Sequence, residues 1–233
     1  MNAQYGLTFD TKLDGWETSK GFIRREIPMP VLDEKTNPAD AISVIINIQY
    51  AGVCGTDRGL WYRTAFRDLI HSSLAQEGKT TRILGHEFTG RVAQVGSAVQ
   101  LLYDIKVGDP VSGDSHITCG KCFQCRVGEE HVCINEQILG ISIDGIFAPY
   151  VKIPAKNLWI IDPARVRSEI AALYDPFGNA VHATSVIDFR GQRVAVFGCG
   201  PIGMFVILLL RTYGAAKIIA IDPNEENLRI AQQ

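Results

Sequence analysis

Residues 193–203, RVAVFGCGPIG, pass from a short β-branched stretch into a glycine-rich turn and then into an apolar segment. The spacing Gly198-x-Gly200-x-x-Gly203 falls between a predicted strand at 193–197 and a predicted helix at 201–213. A dinucleotide-binding turn needs that context. The first glycine permits the tight turn, the second lets a pyrophosphate approach the backbone, and the third lets helix and strand pack closely. Pro201 suits the first helical position, where its missing N–H is not needed. Free N–H groups and the helix dipole favour an anion there. Gly198, Gly200, Pro201, Ile202 and Gly203 are therefore candidate cofactor-binding residues. A glycine turn with no cofactor role is the bland alternative.

The predicted helix ends at Gly214, where a left-handed residue is cheap. A second strand is predicted at 217–221, and Asn224 caps a further helix. Asp222, nineteen residues past Gly203, ends that strand. Its carboxylate can accept from a ribose diol and would repel a 2′-phosphate, which favours NAD over NADP. Strand, helix, strand, helix is the opening of a parallel α/β sheet. Two strands do not complete such a sheet. The expectation is an incomplete nucleotide-binding domain, belonging to a longer protein or completed by a partner.

Upstream the chain reads differently. Residues 21–27, 41–52, 88–95 and 147–153 have strand composition, with glycine and proline at short intervals between them. This predicts an irregular β-rich domain over residues 1–174, followed by the nucleotide-binding part over 175–233. Residues 61–78 read as helical, as a surface insertion, and Ser168 reads as the N-cap of a short helix. Charged residues make up 21% of the chain and the formal net charge is −2, so no basic nucleic-acid surface is expected. The N-terminus lacks the pattern of a secretory signal and no apolar run is long enough to span a membrane. A cytoplasmic protein is expected.

Four of the six cysteines fall within CGKCFQCRVGEEHVC, residues 119–133. In a reducing compartment, clustered cysteines bind metal more often than they pair. The spacing C-x2-C-x2-C-x7-C lets Cys119, Cys122, Cys125 and Cys133 converge on one tetrahedral cation. A disulfide or redox pair and an iron–sulfur cluster are the other readings. Four thiolates leave no open position, so such a zinc holds a loop and does not catalyse. A second set lies earlier: Cys54 in GVCGTD, and His86-Glu87 in GHE. Cys, His and carboxylate form a mixed donor set that can leave a fourth position for substrate.

The order GVCGTD, GHE, four-cysteine lobe, GxGxxG and Asp resembles the zinc-containing medium-chain dehydrogenases/reductases, over about residue 21 to the end. Within that family, SGDSHITCGKC (112–122) and DPFGNAVHAT (175–184) are similar to L-threonine 3-dehydrogenases. The resemblance implies a GroES-like catalytic domain and a Rossmann domain, with the active site between them. It implies a catalytic zinc on Cys54, His86 and Glu87, approached by Asp175. It also implies a structural zinc on the four lobe cysteines, giving two zincs per chain, and NAD as hydride acceptor. Thr56 would pass the proton of a secondary alcohol, and the assembly would be a dimer or tetramer. One departure stands out: the family's histidine shortly after GTD is replaced by Gly59. Residues 61–78 also look longer than the family norm, and the family's chains continue well beyond residue 233. A polyol or simple alcohol dehydrogenase is thus the second reading, and a non-catalytic zinc-binding form the third.

Overall fold

The computed structural model describes residues 3–233. They form two compact units, the first running to Leu173 and the second spanning Tyr174–Gln233.

The first unit is built on two antiparallel sheets. The larger has the order β10-β6-β5-β3-β9, from β3 (Ser43–Ala51), β5 (Phe88–Val95), β6 (Pro110–Gly113), β9 (Tyr150–Pro154) and β10 (Leu158–Ile160). Val44 and Ile46 of β3 are fully buried, packed with Phe88, Val92, Val111 and Ile153. Alternation of this kind places one face of a strand on the core. β3 starts two residues later than the sequence pattern indicates. Asn37 caps a single 3-10 turn, Pro38–Ile42, which takes up both of those residues.

The smaller sheet, β2-β1-β4, joins β1 (Ala3–Asp10), β2 (Ile23–Pro28) and β4 (Thr81–Ile83). Over it lie α1 (Gly55–Trp61) and α2 (Arg67–Glu77). Leu60, Ile70 and Leu74 are buried against Phe9, Trp16, Leu84 and Ile141. The segment expected as a surface insertion is thus helical, but it closes a second core.

Two short strands, β7 (His116–Ile117) and β8 (Gln137–Ile138), pair antiparallel and form the neck of the cysteine lobe. The lobe contains the one-turn helix α4 (Phe123–Arg126). Two further short helices, α3 (Val99–Tyr103) and α5 (Ser168–Ala171), pack on the larger sheet and its connections. The N-cap of α5 is Arg167 and not Ser168, because the chain turns helical one residue earlier than the serine implies.

The second unit opens with α6 (Tyr174–Ser185). Parallel strands β11 (Arg193–Phe197) and β12 (Lys217–Ile221) follow, with α7 (Pro201–Thr212) between them and α8 (Glu225–Ala231) after. Both strands have the bounds that the sequence predicts. The unit's core is small: Val196, Cys199, Ile207 and Leu210.

One glycine carries much of the first unit's geometry. Gly85 has φ of +85°, and a Cβ there would run into the Phe147 ring. Gly85→Ala is expected to cost about 2–4 kcal/mol from overpacking and left-handed strain together. Urea unfolding of the two proteins measures it.

Candidate metal and nucleotide sites

Strand pairing assembles the first site. β3 and β5 are antiparallel neighbours, and Ala51 pairs with Phe88 at their shared end. The chain leaving β3 and the chain entering β5 therefore meet. The Gly52 N–H donates to the Glu87 carbonyl at 2.9 Å. Two residues on, Cys54 leads into α1; on the other side His86 and Glu87 precede β5. Ligand atoms of Cys54, His86 and Glu87 lie within 4.8 Å of one another. His86 and Glu87 are buried and Cys54 is half-buried.

Two further residues support this set. Asp57, 1% exposed, accepts the Cys54 N–H at Oδ2 (2.8 Å), and its Oδ1 stands 3.7 Å from His86 Nδ1. Burial pushes its carboxyl above the ordinary carboxylate range, against the opposing pull of His86 and the Cys54 N–H. Its Oδ1 is buried without a hydrogen-bond partner. Gly52 is the other: a Cβ there would collide with the Glu87 carboxylate. No local sequence signal marks Gly52, since the approach is between residues 35 apart in the chain.

Thr56 lies in the first turn of α1, half-buried. Asp175 stands in the first turn of α6, in the other unit.

In the lobe the four cysteines converge. The sulfurs of Cys119, Cys122, Cys125 and Cys133 all lie within 4.8 Å of one another. Cys122 Sγ is 3.5 Å from Cys125 Sγ and 3.9 Å from Cys133 Sγ, against about 2.05 Å in a disulfide. All are free thiols. Cys119 accepts the Cys122 N–H at 3.4 Å, and Cys133 accepts the Cys119 N–H at 3.4 Å. Backbone N–H groups of Lys121 and Cys122 draw the Cys119 thiol down to about 6, while burial pushes Cys125 up to about 12. Four thiols this close ionise together only around a cation, and an all-sulfur tetrahedral donor set fits zinc.

The glycine turn of the second unit is tightly tied. The Gly198 N–H donates to the Ile221 carbonyl at 2.8 Å, and the Cys199 N–H to Asp222 Oδ2 at 2.7 Å. Asp222 also accepts from the Asn224 N–H at 2.7 Å and from Asn227 Nδ2 at 3.2 Å. These donors, Cys199 first, hold its carboxyl below the usual range. The residue read as a ribose acceptor is thus also the clamp of the turn. Gly200 caps α7 with no side-chain acceptor, Pro201 and Ile202 begin the helix, and Gly203 lies so close to the Gly198 carbonyl that a Cβ would overlap it.

The first unit thus carries a Cys/His/Glu set and a four-thiol lobe, and the second a βαβ glycine turn. Residues 40–163 match the alcohol dehydrogenase GroES-like domain family, and the chain belongs to that family. It is 40% identical over 215 residues to an L-threonine 3-dehydrogenase of Bacillus subtilis (strain 168), which covers 91% of this chain and 56% of that one. An L-threonine 3-dehydrogenase of Caldanaerobacter subterraneus subsp. tengcongensis is 40% identical over 211 residues, with 91% and 55% covered. The chain thus spans little more than half the length of these curated relatives. Among solved structures, a putative zinc-binding dehydrogenase from Sinorhizobium meliloti 1021 bound to NADP superposes with a TM-score of 0.79 at 27% identity. It covers 100% of this chain and 60% of that one. The alcohol dehydrogenase TADH from Thermus sp. ATN1 gives 0.78 at 26%, covering 98% and 60%.

The two metal sets predict separable losses. Cys122→Ser should release about one equivalent of zinc and lower the melting temperature, since a structural zinc contributes folding free energy. Gly52→Ala should displace Glu87 and weaken zinc binding at the other set, leaving the lobe's zinc in place. Elemental analysis after dialysis against a weak chelator reads both.

Proposed function

We propose that this chain carries the metal and nucleotide sites of a zinc-dependent alcohol dehydrogenase that moves a hydride from a secondary alcohol to NAD, with L-threonine the leading substrate. The observation that carries this reading is the meeting of Cys54, His86 and Glu87 at one end of the β3–β5 pair, in the same unit as the four-cysteine lobe. The donor types fit zinc, and three protein ligands leave room for a substrate oxygen. The unpartnered Asp57 Oδ1 supports a cation nearby. In this reading the first unit is the catalytic domain and the second begins the nucleotide-binding domain.

Zinc, when bound, would act as a Lewis acid on the alcohol oxygen, and NAD would supply the hydride acceptor. The chain's residues do the rest. Asp57 fixes the backbone at Cys54 and faces the His86 ring, orienting two ligands at once. Thr56, on α1, takes the hydroxyl proton and passes it toward solvent through Oγ1. The backbone of Gly198, Gly200, Ile202 and Gly203 receives the pyrophosphate at the uncapped start of α7. Asp222 accepts from the ribose and favours NAD, although the solved neighbours hold NADP in one case and NADH in another. The described helices include none long and apolar enough to cross a membrane. We place the protein in the cytoplasm as a homo-oligomer, dimer or tetramer, acting on a small-molecule alcohol without nucleic-acid or membrane partners.

Gly59, standing where the threonine enzymes carry a histidine, favours a second reading as a polyol or simple alcohol dehydrogenase. NAD reduction with L-threonine, sorbitol, 2,3-butanediol and ethanol separates the two. Preference for L-threonine is the expected outcome; preference for a polyol transfers the assignment to the second reading. Absence of turnover, with zinc retained only in the lobe, leaves a non-catalytic zinc-binding form.

A further inference from the structure

We propose that the cavity beside the outer edge of β9 binds a small uncharged molecule built from a primary carboxamide on an apolar body. The cavity encloses about 770 Å³ and lies wholly in the first unit. Pockets of this size hold small ligands. Ile27, Met29, Val31, Ile83, Ile143 and Val151 supply its apolar walls, and Gln4, Tyr150 and Lys152 line it as well.

One polar edge meets these walls. β9 is the last strand of the larger sheet and pairs only with β3. The Ile48 N–H donates to the Pro149 carbonyl at 2.9 Å, so that carbonyl is turned toward β3. Backbone groups alternate in direction along an antiparallel pair. Val151 and Ile153, opposite Ile46 and Val44, therefore bond to β3, while Tyr150 and Lys152 turn their N–H and C=O away from it. Tyr150 bears out this direction. Its N–H donates to Gln4 Oε1 at 2.8 Å, and its carbonyl accepts from Gln4 Nε2 at 3.0 Å. At Lys152, two residues on, neither backbone group has a partner among the described residues. Pro154, the next outward residue, has no N–H to give. The free edge is thus one residue long, room for one amide and not for a strand.

Gln4 shows what fills such a place. A primary carboxamide carries an acceptor oxygen and an N–H on the same side, the complement of an outward-facing strand residue. A carboxylate has acceptors alone and would leave the Lys152 carbonyl unmet. A trans peptide group points its oxygen and its N–H in opposite directions and cannot make both bonds by itself. The charges around the cavity are already matched. Lys152 Nζ holds Asp40 at 2.9 Å, and Lys79 Nζ bridges Glu77 at 2.8 Å and Asp144 at 3.0 Å. A charged ligand would find no free counter-charge among these groups and would lose its water, so an uncharged one is favoured.

The probe is benzamide, titrated into the isotope-labelled, zinc-loaded full chain and read from the backbone amide signals. Benzamide should move the Lys152 amide downfield and saturably, and leave the Tyr150 amide in place. N,N-Dimethylbenzamide keeps the ring and loses the donor, and should bind about 10-fold more weakly, as should benzoate. Gln4→Ala frees the Tyr150 edge, and benzamide should then move that amide too. If Gln4→Ala melts early, Val31→Lys takes its place. That side chain is 64% exposed, so the melting temperature should hold while benzamide binding weakens by about 10-fold. A Lys152 amide that does not move, or equal binding of benzamide and its dimethyl form, overturns the proposal. So does a Tyr150 amide that stays in place in a folded Gln4→Ala. A Lys152 shift that grows with protein concentration in the absence of benzamide gives the edge to a second copy of this chain, and overturns it as well.

Discussion

Asp57 sits behind the Cys/His/Glu set with its two oxygens turned to different parts of it. One holds the Cys54 N–H at 2.8 Å, and the other faces His86 Nδ1 at 3.7 Å. A carboxylate this buried is costly unless a cation or donors offset the loss of water. The Cys54 N–H offsets part of that cost. A divalent ion on Cys54, His86 and Glu87 would offset more. The same carboxylate would therefore orient two ligands and be stabilised by the ion they hold. The β3–β5 register, Gly52 and Gly85 all serve to bring these groups together.

The lobe solves a different problem by similar means. Its short neck of β7 and β8 encloses nineteen residues between Ile117 and Gln137 that include few buried apolar side chains. A loop of that kind has little core of its own, so its order depends on what joins the four sulfurs. A closed all-sulfur site supplies that order without offering an open position. On the reading proposed above, the chain separates a metal that would hold structure from one that would bind a substrate oxygen. In the second unit Asp222 plays a comparable double part, clamping the Cys199 N–H while standing at the end of β12.

How far the sequence could be read follows from whether a signal was local. The cysteine spacing and the strand–glycine turn–helix order lie in short stretches, and β11, β12 and the Asn224 cap have the bounds that composition indicates. Cys54 and His86-Glu87 lie more than thirty residues apart, and donor chemistry and the resemblance join them where spacing does not; antiparallel pairing of β3 and β5 is the physical reason they meet. Residues 61–78 were misread as a surface insertion because their partner, β1, carried no clear strand signal. Gly6 and the buried polar residues Gln4, Thr8 and Asp10 obscure its alternation. Without β1, the core that takes up Ile70 and Leu74 was invisible. Gly52 is required by the close approach of the Glu87 side chain, 35 residues away in the chain, which composition does not encode.

The central claim is that one chain holds two metal sites of different chemistry. Zinc-edge X-ray absorption on the zinc-loaded protein and on Cys54→Ser tests it most directly. The account predicts a mixed shell in wild type, with sulfur at about 2.3 Å and nitrogen or oxygen at about 2.0–2.1 Å. It predicts a shell of sulfur alone in Cys54→Ser, at reduced zinc content. A wild-type shell of sulfur alone, or a variant spectrum identical to wild type at full zinc content, would contradict it.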